Sequence, residues 1–255
     1  MENTRHNRSP GWPPIRRWVR RTTSSFACGT LLLGCTKADT PSHDLTAQRE
    51  AMLKDQIEAR GITDPATLAA MRAVPRHEFV PLRLREEAYS DYPLPLGHGQ
   101  TISQPYIVAF MTEAIRPEPG EKILEIGAGS GYQAAVLAEA GAEVYTVEIV
   151  APLAEMARQN LERLGYENAH VLHADGYRGW PEHAPFDAII VTCAPDRIPP
   201  DLVAQLREGG RMIIPVGAGL NQDLILLRKQ DGMVEKQSVL PVRFVPMTGE
   251  AERSR

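Results

Sequence analysis

Apolar positions change rhythm once along this chain, and the change divides a helical N-terminal part from an alternating C-terminal part. Leu45, Met52, Leu53 and Ile57 recur at helical spacing up to Gly61, a plausible helix stop. Asp64-Pro65 pairs a capping residue with proline at the first helical position and predicts a helix through about Arg72. Pro75, Pro81, Pro93 and Pro95 then punctuate an irregular stretch, and Gly97-His98-Gly99-Gln100 reads as a loop. Ser103-Gln104-Pro105 opens another helix carrying Ile107, Val108, Phe110 and Met111. From Glu121 the pattern becomes strand, turn, helix. Strands are predicted at Lys122–Ile126, Glu143–Val147, Ala169–Leu172, Phe186–Val191, Arg211–Val216, Asp223–Leu227 and near Val239–Phe244. Helices are predicted at Tyr132–Ala140, Pro152–Leu164 and near Pro200–Leu206. Strands alternating with helices predict an α/β fold with a mostly parallel, doubly wound sheet. The short link at Asp231-Gly232 makes the last two strands an antiparallel pair.

Composition separates a leader from this body. Residues 1–43 hold seven basic and two acidic residues, a net of +5; the remaining 212 hold 21 basic and 30 acidic, a net of −9. The leader runs from an Arg-, Pro- and Trp-rich segment into the uncharged stretch Thr22–Gly34 and ends Leu32-Leu33-Gly34-Cys35, which resembles a bacterial lipoprotein cleavage box. Arg16-Arg17 and Arg20-Arg21 resemble twin-arginine signals. The alternative is an N-terminus extended by an early start, and Thr22-Thr23-Ser24-Ser25 interrupts the apolar stretch. The domain is therefore placed at 44–255. No apolar run reaches the ~18 residues of a membrane-spanning helix. A net charge of −4 gives no reason to expect nucleic acid as the main partner. Three cysteines exclude a disulfide scaffold.

The candidate chemistry lies at the strand ends. Leu124-Glu125-Ile126-Gly127-Ala128-Gly129-Ser130-Gly131-Tyr132 joins a strand to a helix, where glycines let a ligand approach the backbone. Tyr132 stands where a nicotinamide fingerprint needs its third glycine, which makes an oxidoreductase the weaker rival. Glu-x-Gly-x-Gly-x-Gly instead matches the first motif of S-adenosylmethionine-dependent methyltransferases. Glu148 ends the next strand, 21 residues after Gly127, where a carboxylate can accept both ribose hydroxyls. Asp175 follows the third strand, in His173-Ala174-Asp175-Gly176, where an acid can meet the adenine amino group. The ordinary readings are solvated loop acids at 125 and 175 and a helix start at 148. No His-x-x-x-His pair and no Cys-x-x-Cys spacing occurs, so no metal is expected. Neither an activated nucleophile nor a Gly-x-Ser-x-Gly elbow is evident, and Cys193 reads as a small buried residue. A carboxylate acceptor fits this, because it is already an anion and needs positioning more than proton abstraction.

Five segments resemble one family. Val74-Pro75-Arg76-His77-Glu78-Phe79-Val80-Pro81, Gly99-Gln100-Thr101-Ile102-Ser103-Gln104-Pro105-Tyr106, the glycine motif, Pro185–Val191 and Pro241-Val242-Arg243-Phe244-Val245-Pro246-Met247-Thr248 are similar to bacterial protein-L-isoaspartate O-methyltransferases, over about residues 46–248. The glycine motif is shared by many methyltransferases; the Thr-Ile-Ser and Arg-Phe-Val-Pro elements are specific. The resemblance implies a Rossmann-like methyltransferase fold. It also implies methyl transfer from S-adenosyl-L-methionine to the α-carboxylate of L-isoaspartyl residues in damaged proteins and peptides, with the ester closing to a succinimide that partly reopens to aspartate. Ser103 matches the family's active-site serine, whose hydroxyl can orient the acceptor carboxylate; its ordinary reading is a helix cap. Thr101, Ile102, Glu125, Gly127, Ala128, Gly129, Gly131, Glu148, Asp175, Gly176 and Thr248 match the donor side. Ser103, Val245 and Pro246 match the substrate side. Tyr106 departs from the histidine of animal members. Also open are a methyltransferase for another carboxylate or a small molecule, and an exported lipoprotein using the fold as a binding module. The donor is made in the cytoplasm, so a cytoplasmic protein is expected, with an exported lipoprotein as the alternative; separately, the chain is expected to be a monomer.

Overall fold

In a computed structural model, residues 45–253 are described, and they belong to one structural unit, His43–Arg255. The leader, with its Leu32-Leu33-Gly34-Cys35 box, lies outside the described residues.

Helix α1 (Leu45–Ala51) continues through a π-turn, Met52–Ile57, and a 3₁₀ turn to Gly61, which stops it at φ +91°. Helix α2 (Pro65–Ala73) starts as expected: Asp64 accepts from the Thr67 backbone N–H, with Pro65 next in line. The stretch read as irregular contains a hairpin, β1 (Leu94–Gly97) and β2 (Gln100–Ile102). Its turn residues, His98 and Gly99, both take positive φ, as a two-residue hairpin turn requires. The segment 97–100 is therefore a strand pairing, not a free loop.

Helix α3 (Pro105–Ile115) leads into strand β3 (Lys122–Ile126), helix α4 (Tyr132–Glu139), strand β4 (Glu143–Glu148), helix α5 (Ala151–Arg163) and strand β5 (Ala169–His173). Strand β6 (Phe186–Val191), helix α6 (Pro200–Gln205), strands β7 (Leu206–Ala218), β8 (Asn221–Gln230) and β9 (Met233–Val242), and a last turn α7 (Glu250–Arg253) complete the order. The seven-stranded sheet runs β5-β4-β3-β6-β7-β8-β9. Strands β3 to β7 are parallel, while β8 pairs antiparallel with both neighbours. This is the α/β, Rossmann-like arrangement expected. Helix α3 lies over β6 and β7, α4 and α5 over β4 and β5. On the opposite face α6 adds Leu202 to a core of Leu124, Ile126, Val147, Ile189, Val191, Met212 and Ile214. With both faces covered, β3 and β6 are apolar nearly throughout.

The C-terminal strands are longer than predicted, and β9 lies nearer the N-terminus than Val239–Phe244. Strand β9 is the sheet edge and alternates exposed with half-buried positions, so it lacks the apolar run used to find the others. Strand order reverses between β3 and β6, opening a crevice at their carboxyl ends. The glycine loop leaves β3 at that point.

Candidate active site

The loop is shaped by contacts that leave no room for a side chain. Gly127 has φ +97°, and a Cβ there would lie 2.4 Å from the Thr192 hydroxyl oxygen. That hydroxyl donates to the carbonyls of Gly127 and Ile126, at 2.7 and 3.0 Å, tying the end of β6 to the end of β3. Gly131, at φ +88°, is the N-cap of α4 and packs on Leu161 and Ala157 of α5. Tyr132 is buried edge-on against Phe79, with the guanidinium of the fully buried Arg76 4.9 Å from its ring. Arg76 donates through Nε to the Ala88 carbonyl at 2.7 Å, and burial lowers its pKa to about 10. A buried tyrosine so anchored explains why this loop departs from the nicotinamide pattern at 132.

Two adjoining cavities flank the loop. The larger, about 890 Å³, is lined by Thr101, Ile102, Ser103, Glu125, Gly127, Ala128 and Val245 among others. The smaller takes in Thr101, Gly127, Gly129, Glu148, Gly176, Val245, Pro246 and Thr248. Thr101, Gly127, Thr192 and Val245 form the wall common to both. The expected residues thus come together from five separate parts of the chain. Gly131 and Asp175 line neither cavity.

The three acids differ in state. Glu148 is buried, and its two oxygens accept from the backbone N–H of Gly129 and Val150 at 2.8 and 2.9 Å. Each oxygen retains acceptor capacity beyond these bonds, and the residue lines the smaller cavity. Asp175 accepts from the N–H of Tyr177 at 3.0 Å and of Glu250 at 2.8 Å, which fastens the C-terminal turn to the end of β5. Glu125 is wholly buried, and neither of its oxygens has a hydrogen-bond partner.

Ser103 is not the cap of α3. Gln104 is the N-cap and Pro105 the first helical residue, with the Ile107 and Val108 N–H groups reaching the Gln104 carbonyl. The Gln104 side chain donates to the carbonyl and carboxylate of Asp91, which pairs with Arg60. This anchoring leaves the half-buried Ser103 at the cavity wall.

The C-terminal segment is held by two devices that the sequence reading missed. Gln222 on β8 accepts from the Phe244 N–H at 2.7 Å and donates to its carbonyl at 3.1 Å. Ala194, beyond β6, donates to the Val245 carbonyl and accepts from the Met247 N–H, both at 2.8 Å. Thr192 had a readable signal, as the residue closing the strand across the switch point; Gln222 had none. Cys193 also lines the smaller cavity, and burial pushes its thiol well above the ordinary range, which disfavours a nucleophilic thiolate. Among the described residues, no cluster of three His, Cys, Asp or Glu is placed to hold a metal ion.

A glycine cradle at a topological switch point, with an acid at the end of the next strand, is a site that S-adenosylmethionine-dependent methyltransferases share with dinucleotide-binding enzymes, and the comparisons with known proteins decide between them. The family model for protein-L-isoaspartate(D-aspartate) O-methyltransferase (PCMT) matches residues 47–252, and the chain belongs to this family. It is 58% identical over 206 residues to a protein-L-isoaspartate O-methyltransferase of Opitutus terrae, covering 80% of this chain and 88% of that one. A Gloeobacter violaceus relative of the same description is 58% identical over 200 residues, 78% of this chain and 98% of its own. A solved protein-L-isoaspartate O-methyltransferase superposes with a TM-score of 0.72 at 34% identity, covering 80% of this chain and 67% of that chain. A structure from Plasmodium falciparum described as a PCMT, in complex with S-adenosyl-L-homocysteine, gives 0.68 at 27% identity, covering 80% and 97%.

Proposed function

We propose that this chain methylates the α-carboxylate of L-isoaspartyl residues in proteins and peptides, with the donor held over the glycine loop and the acceptor in the larger cavity beside Ser103. The observation that carries this assignment of roles is the pair of adjoining cavities with a common wall at Thr101, Gly127 and Val245. Transfer between two ligands needs two such sites in contact.

The residues fit the donor. The cradle at Gly127 excludes even a Cβ, and Glu148 offers carboxylate lone pairs at the expected distance along the chain from the loop. S-adenosyl-L-methionine supplies a methyl group on a cationic sulfur. Ser103 donates a hydrogen bond to one oxygen of the acceptor carboxylate and so aims the other at that methyl. Val245 and Pro246, held at Ala194 and followed by the buried Met247, offer an ordered edge to the peptide. The acceptor is an anion before it binds, so no base is required. Asp175 contributes by holding the turn at 249–250, and Gly176 by packing flush on Ile126, where a Cβ would come within 2.4 Å. The product ester closes to a succinimide outside the enzyme's control, as the amide nitrogen of the following residue attacks the ester carbonyl and displaces methanol, which begins repair to aspartate.

No helix among the described residues is long and apolar enough to cross a membrane. The donor is a cytoplasmic metabolite, which supports a cytoplasmic site of action; in the intact mass of the mature protein, a retained leader supports the cytosol and a start at a lipidated Cys35 supports export. The test supplies methyl-labelled donor and an isoaspartyl peptide to the full chain and to a chain starting at Asp44. Label is expected as a base-labile ester with both. No ester from the full chain contradicts the function; loss from the shorter chain alone makes residues 1–43 part of the domain.

A further inference from the structure

Apart from the buried Glu125, the lining of the larger cavity offers two acidic or basic side chains, Asp223 on β8 and Arg243 just beyond β9, and both are exposed. Asp223 stands opposite Pro241 in the ladder, two residues from Arg243. The two side chains nevertheless form no ion pair with each other, and among the described residues neither has another partner. Other arginines of the surface are matched: Arg85 and Arg163 share Glu78, Arg178 holds Glu250 and Arg207 holds Asp187. The backbone under Arg243 is fixed from both sides. Val242 pairs with Gln222, and the Gln222 side chain holds the N–H and the carbonyl of Phe244. Val245, on the wall common to both cavities, is two residues on, at most about 7 Å along the chain. Pro241, which Asp223 faces, is four residues back from Val245, at most about 14 Å.

An extended peptide has the same reach per residue as this segment. With its acceptor carboxylate at the common wall and its chain along 243–246, it brings the side chain two residues from the isoaspartyl position beside Arg243. Resting on the function proposed above, we propose that Arg243 selects among isoaspartyl peptides, favouring those with a carboxylate side chain two residues from the damaged position on one side of it. Asp223 offsets the positive charge farther out, so the preference is confined to that one position. The domain as a whole works in the opposite direction. Its 212 residues after the leader carry a net of −9, so an acidic peptide is repelled overall and only a local cation yields a preference for one. Arg243 and Asp223 both face water, so the selectivity is a matter of a few-fold and is screened by salt.

The test measures kcat/KM of the full chain on isoaspartyl peptides of one sequence, carrying glutamate, glutamine or lysine at the second or the fourth residue on either side. Glutamate is expected to exceed lysine about three- to tenfold at the second residue on one side, with glutamine between them. It should gain nothing at the second residue on the other side or at either fourth residue. The difference should lie in KM, since Arg243 meets a flanking residue and not the reacting carboxylate, and it should shrink as salt is raised. Arg243→Gln should abolish the order and Arg243→Glu should reverse it. Glutamate favoured equally at every position would mark general attraction and overturn the proposal. So would rates that ignore charge at the second residue on both sides, or an order that survives Arg243→Gln. In those cases an ester on the glutamine peptides leaves the function standing, whereas no ester on any peptide sinks the function and the proposal with it.

Discussion

Ser103→Ala is expected to lower turnover on an isoaspartyl peptide roughly ten- to a hundred-fold while leaving donor affinity nearly intact. The loss corresponds to one positioning hydrogen bond to a charged group, about 1.5–3 kcal/mol. Activity survives at the reduced level, because the carboxylate still attacks as an anion and no covalent bond to the enzyme is involved. The fold predicts a stability close to that of the unaltered chain. Gln104, not Ser103, is the N-cap of α3, and Gln104 is fixed independently through Asp91. A capping role for Ser103 would instead lower stability by about 1 kcal/mol with no change in rate per folded molecule. Thermal melting and single-turnover methylation on the same samples separate the outcomes. A variant that melts lower and methylates at the unaltered rate removes Ser103 from the reaction.

Glu148→Ala is expected to weaken S-adenosyl-L-methionine binding by about 1.5–3 kcal/mol, a roughly ten- to hundred-fold rise in Kd. Two losses combine here. The carboxylate lies on the smaller cavity, and it also fixes the glycine loop through Gly129 and the start of α5 through Val150. Glu148→Gln keeps the size but turns an amino group toward one of those two N–H donors, so it too should bind the donor less well. Calorimetry on folded variants makes the check. Unchanged affinity in a folded Glu148→Ala protein would take this residue out of the donor site.

What was legible in the sequence depended on how local the determining physics is. Strands β3 and β6 emerge as apolar runs because helices cover both faces, and their bounds agree with the expected ones. The glycine loop was legible because Gly127, Gly129 and Gly131 all take positive φ, which favours glycine whatever packs against the loop, and the acid at 148 because it ends the adjacent strand. The β1–β2 hairpin was not, since Pro93 and Pro95 read as breakers; the informative feature was His98-Gly99, a pair able to take positive φ together. Strand β9 was displaced because an edge strand has no buried run to mark it. Contacts that depend on the finished sheet were out of reach. Nothing in the order of residues announces that Gln222 clamps Phe244, or that Asp175 accepts from the N–H of Glu250. Ser103 shows the complementary case: its spacing before Pro105 suited a cap, and the register of α3 gave that place to Gln104.

The central claim is that two adjoining sites pass a methyl group to an isoaspartyl carboxylate and thereby start its repair. The most direct measurement gives the full chain labelled S-adenosyl-L-methionine with two peptides of one sequence, differing only in an isoaspartyl or a normal aspartyl linkage. The account predicts a base-labile methyl ester on the isoaspartyl peptide alone, followed by succinimide and a rising fraction of the aspartyl form. Label on both isomers, or on the aspartyl peptide alone, or an isoaspartyl peptide that stays unmodified while the donor is bound, would contradict it.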